Sequence, residues 1–191
     1  MPAVPELTDG NILVRPHRPE DRDAMFAAVM ESISEVSPWL PWCHVGYSRE
    51  ETEGFIGLAV AAWTQATHYP FAILDAGTDT FLGGIAINHI ARPNRLANVG
   101  YWVRTSRTKR GIASAAVRLV AQYAFNFLGL TRLEIACVPA NVSSRRVAEK
   151  AGARFEAVAR NRLVMHGIAY DAALYALVPE DLRADNRWRG P

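Results

Sequence analysis

Cysteine is scarce in this chain. Only Cys43 and Cys137 occur among 191 residues, far apart and in unrelated contexts. No CxxC pair or His/Cys cluster accompanies them, so a disulfide scaffold is excluded and no metal site is expected. A surplus of one charge is also missing, because 21 Lys and Arg stand against 19 Asp and Glu. The net charge of +2 does not mark a nucleic-acid binder, and the cations matter only where they cluster. Long apolar runs are absent too. Phe55 to Trp63 is far too short to cross a bilayer and belongs to an amphipathic pattern. The opening MPAVPELTDG has no basic start followed by an apolar core, so it does not read as a secretion signal. These gaps point to a cytoplasmic protein with reduced thiols, no membrane and no nucleic-acid partner. Half of the residues are hydrophobic, and no repeat or linker interrupts the chain. One domain over 1–191 is expected, with 1–10 and 184–191 loosely ordered.

What is present alternates between two periods. Asn11 to Arg15 reads as a strand. Pro19 opens a helix with Glu20, Asp21 and Asp23 in its first turn and Phe26, Val29, Met30 and Ile33 on its buried face. The proline-stiffened loop Ser37 to Tyr47 follows, carrying Trp39 and Trp42. These tryptophans are either a core plug or the wall of a pocket. Ser48 and Glu51 form a capping box before a helix with Phe55, Ile56, Ala59, Val60 and Trp63 on one face. Strands follow at Tyr69 to Asp75 and Phe81 to Ile90, then a third ending at Thr105. After the next helix come a strand at Arg132 to Val138 and a short helix at Ser143 to Lys150. A hairpin at Phe155 to Leu163 and Ile168 to Leu177 turns at His166-Gly167. Strands in meander with inserted helical crossovers indicate an α+β fold.

The densest information lies in Leu96 to Phe127. Asn98 to Thr105 suits a strand, and Ile112, Ala116, Leu119, Tyr123 and Phe127 recur on one helical face. Between them stand Arg107, Lys109, Arg110 and Gly111, then Ala113 and Ser114. A strand thus passes through a basic turn into a helix N-terminus. Its first amides have no internal partner and can receive a phosphate. Neither GxxxxGK[ST] nor GxGxxG fits the turn, which leaves a diphosphate site or a solvated basic turn.

The run Thr108-Lys109-Arg110-Gly111-Ile112-Ala113 resembles motif A (R/Q-x-x-G-x-G/A) of the GNAT acetyltransferases. Gly100 to Arg104, read GYWVR, resembles the GYW strand of their RimJ/RimL-like branch. Thr108 departs from the usual Gln or Arg, and Lys109 stands where a second glycine is common. A second segment, Asn141 to Gly152, resembles the branch's N-x-x-S…EK-x-G pattern. WLPW at Trp39 to Trp42 is similar to the branch as well, which favours the pocket wall. The resemblance covers nearly the whole chain. It implies a mixed, mostly antiparallel sheet in the order strand, two helices, three strands, helix, strand, helix, two strands.

The resemblance implies acetyl-CoA as co-substrate. Its carrier would lie along Trp102, Val103, Arg104 and Thr105, and its phosphates at Thr108, Lys109, Arg110, Gly111, Ile112, Ala113 and Ser114. Asn141 would touch the pantetheine arm, and the Ser144 hydroxyl would protonate the departing thiolate. A bulge around Trp102 to Thr105 would splay the strand. Trp39, Trp42 and Asn98 are placed at the acceptor. Asn141 and Ser143 also read as simple helix caps, and Cys137 reads as a small buried hydrophobe. For a general base, Asn98 cannot take a proton, and the candidates are His89, Glu134, His44 and His68. The implied acceptor is an amine, a protein N-terminus or a small molecule, and the implied state is monomer or homodimer. A non-catalytic acyl-CoA-binding module is the alternative.

Overall fold

The computed structural model describes residues 6–183. Its strands are β1 (Leu7–Thr8), β2 (Ile12–Pro16), β3 (Tyr69–Asp75), β4 (Phe81–Ala91), β5 (Leu96–Val103), β6 (Arg132–Cys137), β7 (Arg154–Met165) and β8 (Ile168–Leu177). Its helices are α1 (Arg22–Val36), α2 (Arg49–Gln65), α3 (Ile112–Asn126), α4 (Val142–Ala151) and α5 (Pro179–Arg183). One sheet runs in the order β1-β2-β3-β4-β5-β6-β8-β7. Its neighbouring strands are antiparallel at every pairing but one. Helix α3 carries the chain across the sheet, so β5 and β6 alone among them are parallel. The expected order is therefore present, extended by β1, and α5 lies where Pro179, Glu180 and Asp181 are expected to begin a last helical turn. Leu7 and Thr8 pair with Val14 and Leu13, so the expectation of loose order over 1–10 does not extend to them. Residues 184–191 lie outside the described residues.

Each face of the sheet has its own core. Phe71, Ile73, Ile87, Val99, Leu133 and Tyr175 pack toward α3 and α4. Ala72, Leu74 and Phe81 pack toward α1 and α2. The helix faces differ from the hydropathy reading. On α1 the buried residues are Met25, Ala28, Val29, Ser32 and Val36, whereas Met30 is exposed. Ser32 is hidden because its hydroxyl donates to the Ala28 carbonyl at 2.7 Å. On α2, Thr52 and Ala62 are buried while Phe55 and Val60 are exposed. Phe127 lies past the end of α3 and is exposed. Asp21 caps the 3₁₀ turn Pro19–Asp21, accepting from the Arg18 amide at 2.8 Å, and it is also buried against Arg15, with hydrogen bonds of 2.8 and 2.7 Å.

Candidate active site

The parallel pairing of β5 with β6 is short. Leu96, Ala97 and Asn98 pair with Arg132, Leu133 and Glu134, and there the ladder stops. Beyond that point β5 runs on to Val103 beside β4, and β6 runs on to Cys137 beside β8. The two strands separate as a fork. No bulge on β5 causes it; the register irregularity lies on β4, between Asn88 and Ala91. The Arg104 amide donates to the Leu82 carbonyl at 2.8 Å. Backbone groups alternate along a strand, so Trp102 and Gly100 also turn toward β4. The N–H and C=O groups of Tyr101 and Val103 therefore turn into the fork.

That parity corrects the expected donors. Among Trp102, Val103, Arg104 and Thr105, only Val103 offers its amide to the fork. The Thr105 amide donates to Ser32 Oγ at 3.0 Å. Trp102 places its indole on the α1/α2 face. The Arg104 guanidinium pairs with Glu31 and also donates to the Phe81 carbonyl, so it ties β5 to α1 instead of meeting a phosphate. Hydrogen bonds from Arg104 hold the Glu31 carboxyl down, to about 2.

The basic turn fits a diphosphate. Thr108 closes a 3₁₀ turn, with its amide and hydroxyl both on the Thr105 carbonyl at 3.2 and 3.0 Å, so it is not a free donor. Lys109 and Gly111 then take left-handed conformations, with φ of 61° and 81°. Lys109 thus occupies the conformation in which glycine is easiest. The described residues give the amides from Lys109 to Ser114 no acceptor. Lys109 and Arg110 are exposed and lack a carboxylate partner among the described residues. Ser114 is buried, and its hydroxyl donates to the Gly111 carbonyl at 2.8 Å. Its side chain closes the turn, leaving its amide for a ligand.

Ser144 sits across the fork on α4. Asn141 caps that helix by accepting from the Ser144 amide at 3.0 Å. The Tyr101 hydroxyl lies 3.0 Å from the Ser144 carbonyl and 3.1 Å from Ser144 Oγ. Burial pushes the Tyr101 phenol up, so it stays protonated. Burial also pushes the Cys137 thiol up, partly opposed by a hydrogen bond with Ser144. A buried thiol held in its neutral form is a poor nucleophile.

The opposite face of the fork is walled by aromatic rings. Trp42 stands edge-on to Trp102 at 5.6 Å, and Trp102 lies 6.1 Å from Phe81. Trp42 is partly exposed, while Cys43 and Tyr47 fill the loop's interior. Trp39 is half-buried in the turn after α1. The tip of the β7–β8 hairpin reaches this loop, with His166 Nε2 3.0 Å from the Ser37 carbonyl. Asn98 Nδ2 donates to Asn88 Oδ1 at 2.9 Å. Glu134 stands beside Asn98 in register and bonds to Arg132 at 3.0 Å.

Residues 11–154 match the family model described as an acetyltransferase (GNAT) domain. The chain belongs to the GNAT acetyltransferases. It is 36% identical over 114 residues to the Probable N-acetyltransferase YjcK of Bacillus subtilis, which is 59% of this chain and 63% of that protein. It is 29% identical over 100 residues to the ribosomal-protein-serine acetyltransferase of Escherichia coli, covering 52% of this chain and 56% of the other. Mycobacterium smegmatis RimJ in complex with CoA-disulfide superposes with a TM-score of 0.80. That match has 28% identity and covers 94% of this chain and 88% of the other. These relatives place the chain on the RimJ/RimL-like side of the GNAT family.

Within this GNAT fold, Val103, the turn from Lys109 to Ser114, Asn141 and Ser144 gather around the fork. Trp42 and Trp102 meet on its other side, and Asn98, four residues back along β5, bonds to Asn88. Tyr101 is the residue missed from sequence, although its parity with Ala97 and Val99 already put it on the α3/α4 face. Of the four base candidates, only Glu134 stands at the fork. His89 lies on the β4 irregularity and His68 precedes β3, both at the far end of the sheet, and His44 pairs with Glu51 at 2.9 Å. The described residues contain no grouping suited to a metal ion and no helix long and apolar enough to span a membrane.

Proposed function

We propose that this GNAT acetyltransferase transfers acetyl from acetyl-CoA directly to a primary amine, with a protein N-terminal α-amine as the favoured acceptor. The observation that carries the reading is Ser144 Oγ, held 3.1 Å from the Tyr101 hydroxyl at the fork, on the face that also bears the free amides of α3. The amides from Lys109 to Ser114 would hold the two phosphates, and those of Tyr101 and Val103 would align the arm and polarise the carbonyl. Acetyl-CoA supplies a thioester, whose C–S bond is exchanged for a C–N bond. Tyr101 donates its proton to the Ser144 carbonyl, so its oxygen is the acceptor that positions Ser144 Oγ, and the serine proton turns from that oxygen toward the fork. Ser144 then holds that proton where the thiolate departs. The amine's own proton leaves on the Trp42 side, to water or through water to Glu134.

No carboxylate stands where Asn98 does, so little help is available for a strongly basic amine. An α-amine titrates near 8 and is partly neutral at physiological pH, whereas a lysine amine near 10.4 is not. The name of the Escherichia coli relative, a ribosomal-protein-serine acetyltransferase, supports a protein as acceptor. The two free, buried cysteines are in keeping with a cytoplasmic setting.

The test is thiol release from acetyl-CoA with peptides bearing a free N-terminus, and with N-terminally blocked peptides bearing lysine. Wild type is expected to prefer the free N-terminus. Ser144→Ala is expected to lower kcat about 100-fold while CoA affinity holds. Unchanged turnover in the variant removes Ser144 from the reaction, and CoA binding without turnover on any amine supports the non-catalytic module.

A further inference from the structure

At the end of the sheet away from the fork lies a cavity of about 330 Å³. The length of β5 separates it from the diphosphate turn by roughly 20 Å. Ile90, Leu128 and Leu130 form its apolar walls, and Phe127 forms one lip, 71% exposed and stacked on Tyr123 at 5.5 Å. Arg92 and Arg95 line the same cavity. Backbone carbonyls hold both guanidinium groups in place, Arg92 Nη2 on Ala66 at 2.7 Å and Arg95 Nε on Gly129 at 2.7 Å. Neither arginine has a carboxylate partner among the described residues, so donors of both remain free. Tyr69 completes the lining.

The backbone around this cavity is unusual in the same place. Ala66, His89 and Arg95 are left-handed without being glycine, with φ of 53°, 49° and 51°. The β4 irregularity at His89 and Ile90 re-aims the chain beside the cavity. Such conformations are costly and persist where surrounding contacts impose them.

The geometry points to a binding site for a small organic carboxylate with an aromatic or branched aliphatic body. Two oriented guanidinium groups suit a carboxylate, and the apolar walls with the Phe127 ring suit the body. The volume is at the lower end of small-molecule sites, which begin at about 300 Å³. The site is separate from acetyl transfer, since no residue of the fork lines it.

The test is amide NMR on the full chain, titrated with benzoate, with uncharged benzamide, and with inorganic phosphate. Benzoate is expected to give saturable shifts at Ile90, Arg95 and residues 127–130. Benzamide and the double variant Arg92→Gln, Arg95→Gln are each expected to bind about tenfold more weakly. Phe127→Ala, at an exposed side chain that leaves the fold intact, should weaken benzoate several-fold. Shifts that do not saturate, or that fall instead at Lys109 to Ser114, overturn the proposal. Equal binding of benzamide also overturns it, as does phosphate matching benzoate at these residues, which means a bare-anion site.

Discussion

Ser144 and Tyr101 illustrate how one side chain gains a role from another. A serine hydroxyl alone can point its proton in several directions, and the phenol, which donates to the Ser144 carbonyl, leaves its oxygen at 3.1 Å to fix where Oγ stands. Arg104 shows the reverse case, a cation beside a phosphate site that belongs to Glu31. Gly111 is decided by backbone conformation. At φ of 81° a side chain is strained, and an added Cβ would meet only Ser114 Oγ, at 3.9 Å, so it would not clash inward. Gly111→Val is expected to raise the CoA dissociation constant about tenfold by distorting the turn, since a left-handed β-branched residue costs about 1–2 kcal/mol. Calorimetry reads this directly, and unchanged affinity would move the diphosphate off the turn.

Among the elements, the fork depends on unequal loyalties of two strands. β5 stays with β4 as far as Val103, and β6 stays with β8 as far as Cys137, so the space between them opens without any distortion of β5. The β7–β8 hairpin closes that space from outside by touching the loop after α1 at Ser37. His166→Ala removes this contact, worth about 1 kcal/mol, and is expected to raise the acceptor KM about fivefold while CoA affinity stays constant. Steady-state kinetics with a peptide acceptor checks the separation. A matching loss of CoA affinity would mean that the hairpin supports the whole site. The strand and helix of Leu96 to Phe127 were legible because each follows one period. Ser32 was not, since a polar residue becomes a core residue only when its hydroxyl is satisfied, here by Ala28 of its own helix and by Thr105 of a distant segment.

For the molecule as a whole, His17 sets a pH dependence. It lies between elements, edge-on to Phe55 of α2 at 5.2 Å and 6.1 Å from Phe81 of β4, and its Nδ1 has no partner among the described residues. Burial lowers its pKa from 6.5 to about 4. Between those values the unfolded chain binds a proton that the native chain refuses, so stability falls as pH drops from 6.5 to about 4 and not further on this account. The loss is expected to reach about 3 kcal/mol, and His17→Phe should flatten that part of the curve in urea titrations. An unchanged slope would show that His17 protonates in place. The chain by itself determined the α+β order, the basic turn into α3, and Ser144 one helical turn from its Asn141 cap, because period, capping and spacing act between near neighbours. Only the tertiary structure decided that Arg104 answers to Glu31, that Tyr101 backs Ser144, that the hairpin reaches Ser37, and that two arginines frame a cavity at the far end. Those pairings follow from strand register and helix rotation, which are fixed when distant segments pack and leave no local trace in the residues themselves.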